Sequence, residues 1–321
     1  MRALLVYNPN ATTTTPAVLD VITSALAGEL KLEVEATKRR DHAGFLAAGA
    51  AHEGFEAVFV LGGDGTVNEI VQGIAGSHVR LGIIPGGSTN VWARTLGLSN
   101  DPVEATGALL RRVRAGDARV VNLGEANGRL FAFNAGYGFD AEVVRLVEQR
   151  YRLKRTVRQA SFLYCGLVAY LTRYDRRAAI TVEVDGGVAP VTLRTAVCCN
   201  SAPYTFLGRM PAQLCPHANL DEGLDLLGLT GMSLPKMARL IRTTLTTRDW
   251  SAREDRTHHR RWSARAARTV DDLSFTRLWH DRAAFTLTSE RPLPLQVDGD
   301  FIGEAQRVEL RSAERALTVL A

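Results

Sequence analysis

The chain has 321 residues, 46% hydrophobic and 23% charged, the balance of an ordinary globular protein and a length that suits two domains of about 150 residues. That excludes a disordered, collagen-like or disulfide-scaffold chain. The net charge of +5 is unevenly spread: residues 1–125 carry 11 Lys+Arg against 13 Asp+Glu, net −2, and residues 126–321 carry 28 against 21, net +7.

No apolar run approaches the ~20 residues that cross a bilayer; the longest, Ser161 to Leu171, is short and interrupted. Met1 to Tyr7 runs directly into Asn8-Pro9, without the apolar region or cleavage site of a secretory signal. Four cysteines, two of them adjacent (Cys198, Cys199), do not make a disulfide framework, so a reducing cytoplasm is the expected compartment.

In chain order, Ala3–Tyr7 reads as a buried strand ending at Asn8-Pro9-Asn10. Thr15–Leu30 has helical periodicity, with a proline where the first turn tolerates one. Leu32–Ala36 alternates, Asp41–His52 is an alanine-rich helix, and Ala57–Leu61 is a strand ending at Gly62-Gly63. Thr66–Ile74 reads as a helix, Leu81–Ile84 as a strand and Asn90–Leu96 as a helix. Asp101–Val113 is helical, with Asp at the N-cap and Pro next. This βαβα order with short connections implies a mostly parallel sheet covered on both faces.

From Ala118 the pattern changes to longer alternating runs. Ile180–Val184, Asp185-Gly186-Gly187 and Val191–Cys199 read as two strands around a turn. Leu293–Val297 and Phe301–Ile302 flank Asp298-Gly299, a strong hairpin signal. One basic helical stretch, Asp140–Tyr174, interrupts the strands. A second, β-rich domain is expected from residue 126, with the last residues, about 310–321, free to pack back on the first.

Gly62-Gly63-Asp64-Gly65-Thr66-Val67-Asn68-Glu69 follows a strand and opens a helix. Glycines there let backbone N–H groups approach phosphate oxygens, and the helix N-terminus adds unpaired donors. An ordinary glycine turn would look the same in isolation. No Gly-Lys-Ser/Thr follows, Asn68 stands where the dinucleotide fingerprint needs Gly or Ala, and the protein-kinase motifs are absent. A second loop of the same kind, Pro85-Gly86-Gly87-Ser88-Thr89-Asn90, follows the next strand, and Asn8-Pro9-Asn10-Ala11-Thr12 follows the first. All three should converge at the carboxyl edge of the sheet, where open α/β sheets bind ligands.

Together these residues resemble the diacylglycerol kinase catalytic-domain superfamily, which includes bacterial diacylglycerol kinases and sphingosine and ceramide kinases and is distantly related to NAD kinases. The resemblance covers most of the chain. Gly63–Glu69 is similar to its nucleotide motif and Asn8-Pro9-Asn10 to its first loop. Thr37 with His42-Ala43 is similar to the second loop, and Pro85–Asn90 with Ala93-Arg94-Thr95-Leu96-Gly97 to the third. Asn219-Leu220-Asp221-Glu222-Gly223-Leu224-Asp225 resembles its metal-associated turn, and Val297-Asp298-Gly299-Asp300 its C-terminal Asp-Gly-Glu turn.

The resemblance implies an N-terminal doubly wound α/β nucleotide-binding domain and a C-terminal β-sandwich-like domain, with ATP and Mg²⁺ in the cleft between them. Asn8, Pro9, Asn10, Ala11, Thr37, Gly63, Asp64, Gly65, Thr66, Val67, Asn68, Glu69 and Ser88 would contact ATP. Asp300 would take the proton from a lipid hydroxyl, with Asp298 beside it. A structural Mg²⁺ would use the Glu222 carboxylate and the carbonyls of Asn219 and Leu224. Three positions depart from the family pattern: Asp300 replaces Glu, Glu222 replaces Asp, and Val91 stands where Asp is usual.

The expected activity is an ATP- and Mg²⁺-dependent lipid kinase acting on diacylglycerol. A kinase of a soluble substrate such as NAD, or a nucleotide-binding membrane-associated protein with little turnover, are the alternatives. Arg145, Arg150, Arg152, Lys154, Arg155 and Arg158 form one basic cluster. Arg253, Arg256, Arg260, Arg261, Arg265 and Arg268, with His258, His259 and Trp262, form another. Since 35 of the 39 basic residues are Arg, solvated helix faces account for part of this. The reading adopted is peripheral docking on an anionic membrane surface. Nucleic acid is not expected without a recognition motif, a metal at His258-His259 is rejected for want of further ligands, and the pattern leaves room for a homodimer.

Overall fold

Apolar runs of six residues set the sheet of the first unit. In the computed structural model, which describes residues 1–149, 165–172, 179–185, 187–246 and 269–321, β1 (Arg2–Tyr7), β3 (Ala57–Gly62) and β4 (Arg80–Pro85) are buried along nearly their whole length. Such strands need cover on both faces. β2 (Lys31–Ala36) is mostly exposed and forms the edge. The order is β2-β1-β3-β4, all parallel. Helix α1 (Pro16–Ala27) packs on α5 (Pro102–Ala115), and α2 (His42–His52) packs on α3 (Asp64–Ile74). The direction of strand addition reverses at β1, so right-handed crossovers put the two helix pairs on opposite faces, a doubly wound arrangement.

Local chemistry fixes the helix ends. Thr15 accepts a hydrogen bond from Val18 N–H ahead of Pro16, and Asp101 accepts from Val103 and Glu104 N–H ahead of Pro102. Satisfying such orphan donors contributes about 1 kcal/mol per cap. Helix α3 begins two residues before the expected Thr66, because Gly63 serves as its N-cap. A short helix α4 (Val91–Thr95) follows β4, and a hairpin of β5 (Arg119–Ala126) and β6 (Arg129–Phe131) ends this part of the chain.

Two compact units divide the chain: Met1–Ala132 with Ala313–Ala321, and Phe133–Ser312. The last strand returns to the first unit, where Thr318 and Val319 pair in parallel with Arg80 and Leu81 of β4. Leu320 N–H then donates to Leu81 C=O at 2.9 Å.

The second unit is mainly antiparallel, around β7 (Asn134–Gly138), β10 (Thr195–Cys199), β13 (Leu224–Leu229) and β14 (Thr276–Arg282). β15 (Ala284–Val297) turns a corner: residues 285–289 pair with β8 (Ile180–Val184), and residues 295–297 pair with β7. Its register breaks between Thr288 and Leu293, and a strand changing partners at an irregularity is how sandwich-like sheets make corners. β9 (Gly187–Leu193) pairs with β8. Helix α8 (Leu234–Thr246) covers a core that includes Val197, Cys199, Leu227 and Phe275, and α6 (Phe139–Gln149) runs beside β15.

Two expectations need correction. Val191–Cys199 is not one strand, because β9 ends at Leu193 and β10 starts at Thr195; Arg194 N–H is drawn to Leu229 C=O at 2.7 Å as the chain changes partners. The hairpin at Asp298-Gly299 is not short either, since it joins β15 to β16 (Asp300–Val319), a strand of 20 residues. The helical stretch Asp140–Tyr174 comprises α6 and a helix, α7, at residues 165–172; the rest of it lies outside the described residues. Among the described residues no helix is long and apolar enough to cross a membrane.

Candidate functional site

In the first unit, three loops meet at the carboxyl ends of β1, β3 and β4. Asn8 N–H donates to Leu61 C=O at 2.9 Å, and its side-chain amide reaches Thr66 Oγ1 at 3.2 Å. Gly86 N–H donates to Gly62 C=O at 2.8 Å, and Thr13 N–H donates to Gly86 C=O at 3.0 Å. The glycines are needed for this approach. A Cβ on Gly86 would lie 2.8 Å from Gly62 N, and one on Gly87 would lie 2.7 Å from Gly63 Cα. Asn10 N–H turns back onto Asn8 Oδ1 at 2.9 Å and Ala11 N–H onto Asn8 C=O at 3.1 Å, while Pro9 is exposed. Thr37, at the end of β2, joins the same edge through its N–H to Tyr7 C=O at 2.8 Å.

Of the run Gly63–Glu69, Gly63, Asp64 and Gly65 are half-buried at the mouth of α3, whereas Thr66, Val67 and Asn68 are buried. Asn68, 1% exposed, donates to Leu130 C=O at 3.0 Å and accepts from Arg129 at 3.0 Å, which ties α3 to the β5–β6 hairpin. Glu69 Oε2 accepts from Ala43 N–H at 3.1 Å in the first turn of α2. The backbone of these later residues builds the helix end, and their side chains support it. Ser88 is exposed on the loop after β4.

Asp64 has a structural task that sequence reasoning missed. Its carboxylate accepts from Val91 N–H at 3.1 Å and Trp92 N–H at 3.3 Å, capping α4. Asn90 (φ 49°) closes the loop, accepting from Gly87 N–H and donating to Gly87 C=O, both at 2.9 Å. Burial pushes the Arg94 guanidinium pKa down, and the charge of Asp64 offsets part of that.

In the second unit, Asp298 (φ 48°) and Gly299 (φ 82°) both adopt left-handed backbone, as a tight hairpin turn requires. Asp298 is 5% exposed, and its Oδ1 accepts from Phe133 N–H at 3.0 Å and Asn134 N–H at 3.1 Å. Its carboxylate therefore holds the turn. Asp300 is the half-buried carboxylate just beyond. Gln296, whose Oε1 accepts from Gly299 N–H at 2.8 Å, also holds the turn and left no sequence signal.

At Asn219–Leu224 the Glu222 carboxylate faces nitrogen donors: Asn219 Nδ2 at 2.6 Å and His280 Nε2 at 3.6 Å. His280 Nδ1 lies 2.7 Å from Asp225 Oδ1, whose pKa is raised by burial and lowered in part by Asp281 N–H and His280. Mg²⁺ demands near-octahedral oxygen ligation. As they stand, these side chains do not offer it, and no step below uses a metal at this turn. Among the described residues no group of three or more His, Cys, Asp or Glu side chains could hold a metal ion.

Of the first basic cluster, Arg145 is described: it pairs with Glu142 at 2.5 Å and Glu304 at 3.0 Å. Arg150, Arg152, Lys154, Arg155, Arg158 and the whole second cluster, with His258, His259 and Trp262, lie outside the described residues.

Residues 2–126 match the family model of the diacylglycerol kinase catalytic domain. A diacylglycerol kinase of Bacillus subtilis is 29% identical over 262 residues, 76% of this chain and 78% of that protein. A diacylglycerol kinase of Staphylococcus aureus is 26% identical over 94% of this chain and 87% of its own length. Two solved structures from Bacillus anthracis, one described as a diacylglycerol kinase, share the fold, with TM-scores of 0.69 and 0.74 at 18% and 20% identity. Each covers 99% of this chain, and the chain covers 96% and 94% of theirs. Glycine loops, strand order and these matches agree: residues 2–126 form a diacylglycerol kinase catalytic domain, a kinase domain, and the curated relatives that the longer chain resembles are diacylglycerol kinases.

Proposed function

We propose that this kinase transfers the γ-phosphate of ATP, bound as its Mg²⁺ complex, to a lipid hydroxyl, and that diacylglycerol is the acceptor. The observation that carries the reading is the backbone contact of the Gly62–Gly63 and Gly86–Gly87 loops. With Asn8 and Thr37 on the same edge, these loops frame the N-terminus of α3, whose first-turn N–H groups would meet a triphosphate. Phosphoryl transfer is largely positioning and charge stabilisation, so a chain that aligns donor and acceptor has done most of what is needed. The matched relatives named diacylglycerol kinases favour that acceptor over a soluble one such as NAD.

In this reading Asn8, Pro9, Asn10, Ala11, Thr37, Gly63–Glu69 and Ser88 form the nucleotide site, some through side chains and others by building its walls. Asp300 accepts the proton of the attacking hydroxyl, and Asp298 fixes the turn that carries it. A general base contributes ~10²–10⁴-fold. The arginine-rich stretches of the second part bring the protein to an anionic, cytoplasmic membrane face, where each cation contributes ~1 kcal/mol.

One observation favours a second reading, a nucleotide-binding protein with little turnover: Val91 is apolar and buried beside Asp64, whose oxygens are already engaged. The deciding experiment is transfer of labelled γ-phosphate to a panel of lipids in mixed micelles, with NAD included. Labelled diacylglycerol supports the first reading; no labelled acceptor with ATP still bound supports the second.

A further inference from the structure

We infer that Asp140 is a positioning residue for the Asp298–Asp300 turn and acts through Gln296. This rests on the reading of Asp300 as proton acceptor. Asp140 stands in the first turn of α6, with both carboxylate oxygens engaged. Oδ1 accepts from the Tyr204 hydroxyl at 2.6 Å, and Oδ2 accepts from Gln296 Nε2 at 2.9 Å. Gln296 is 1% exposed, and the same nitrogen also donates to Asn134 Oδ1 at 2.8 Å. Asn134 is fixed in turn by its own amide, which donates to Tyr204 C=O at 3.3 Å.

Two acceptors at one end of the Gln296 amide forbid its flip, since a flipped carbonyl would face both. Its Oε1 is therefore held where Gly299 N–H donates to it at 2.8 Å. On the other side of Asp300, Phe301 N–H donates to Glu148 Oε1 at 2.9 Å. Asp140 and Glu148 both belong to α6, so one helix holds the backbone on either side of Asp300, the first through Gln296 and the second directly.

Gly136 makes room for this junction: a Cβ there would sit 2.7 Å from Gln296 Nε2 and closer still to Asp140 Oδ2. Burial raises the Asp140 pKa, and the bonds from Tyr204 and Gln296 offset part of that rise. An apolar side chain of similar size here would leave the Tyr204 hydroxyl without its acceptor and Gln296 Nε2 with one fewer, a cost of ~1–3 kcal/mol for a buried group left unsatisfied. Packing alone does not explain an acid at this position, whereas orienting the Gln296 amide does.

The test measures γ-phosphate transfer to diacylglycerol micelles by the full chain, with ATP affinity and thermal melting measured in parallel. Asp140→Leu should lower kcat on the order of a hundredfold, the effect of a ~1 Å misplacement, and leave ATP affinity unchanged. Asp140→Asn should recover most of that loss, because its oxygen can accept from Gln296 while its amide donates to the Tyr204 hydroxyl. Introduced into Asp300→Asn, the Leu substitution should cost nothing further. Should Asp140→Leu fail to melt cooperatively, Gln296→Met carries the same test.

Parent-like kcat in a folded Asp140→Leu (or, in that case, Gln296→Met), or losses that multiply with Asp300→Asn, would overturn the inference while Asp300 stood. A fully active Asp300→Asn would remove the proton-acceptor reading itself, and this inference with it.

Discussion

Gly86→Ala probes the nucleotide loops most directly. The added Cβ would lie 2.8 Å from Gly62 N, 2.9 Å from its Cα and 3.2 Å from its carbonyl carbon. All three are backbone atoms, so no rotamer change relieves the contact. Ordinary carbon contacts begin near 3.5 Å, so the β3 and β4 loops must part by roughly half an ångström or more. Overpacking of this kind costs about 1–3 kcal/mol. The bonds from Gly86 N–H to Gly62 C=O and from Thr13 N–H to Gly86 C=O stretch as well. At ~2–4 °C per kcal/mol, melting should fall by roughly 2–12 °C. ATP affinity should fall about tenfold, equivalent to ~1.4 kcal/mol, as the N–H groups lose register. Gly49→Ala in α2 is the control, since a Cβ there meets nothing within 4 Å; it should keep ATP binding and gain ~0.5–1 kcal/mol of stability. Thermal melts and calorimetric ATP titration of both variants decide the matter. A Gly86→Ala protein with the parent's melting point and ATP affinity would show that the loops do not meet as described.

Asp64→Ala removes the α4 cap, at ~0.5–2 kcal/mol, and should abolish phosphoryl transfer. Asp64→Asn keeps one acceptor oxygen but turns its amide toward the other N–H donor, so it should recover only part of the lost stability and remain inactive, and parent-like kcat there would make the charge dispensable. Asp300→Asn should lose ~10²–10⁴ in kcat with ATP affinity retained; if Asp298→Asn is inactive and Asp300→Asn is not, the proton acceptor is misassigned. Burial raises the Asp140 pKa, so the folded state holds that proton more tightly than the unfolded chain. This contribution is complete below the usual carboxylate range and lost as pH rises towards the raised value. Asp140→Asn cannot titrate, and its melting point relative to the parent should rise as pH increases above the usual carboxylate range; a difference that stays constant with pH would contradict the raised Asp140 pKa.

The first unit was legible because its determinants are local. The apolar runs of β1, β3 and β4, the caps at Thr15 and Asp101, and the glycines at the ends of β3 and β4 lie within a few residues of what they determine. The second unit was less so. β16 carries charged residues along most of its exposed length and hid behind the Asp298-Gly299 turn. Arg194, which splits one expected strand into two, is explained only by a carbonyl on β13. Asn68 sits in a nucleotide-like motif but binds the hairpin at 129–130, and Asp140 meets Gln296 across 156 residues. Side-chain partners at such separations leave no periodicity and no spacing to read.

The charge near the glycine loop bears on how a carboxylate could stand beside the proposed triphosphate site. A free Asp64 would repel the ligand whose loop it belongs to. Here its two oxygens accept from the first N–H groups of α4, where the helix dipole favours an anion, and Arg94 lies close enough for Asp64 to act on its pKa. The negative charge is thus compensated within the unit, and the donors at the mouth of α3 can meet an anionic ligand. That compensation comes from backbone N–H groups, so the side chain at position 91 need not be polar, and a buried valine is compatible with the cap. A net charge of −2 over residues 1–125 is then no obstacle to binding ATP. The relevant charge is the local one, set by two helix N-termini and one arginine.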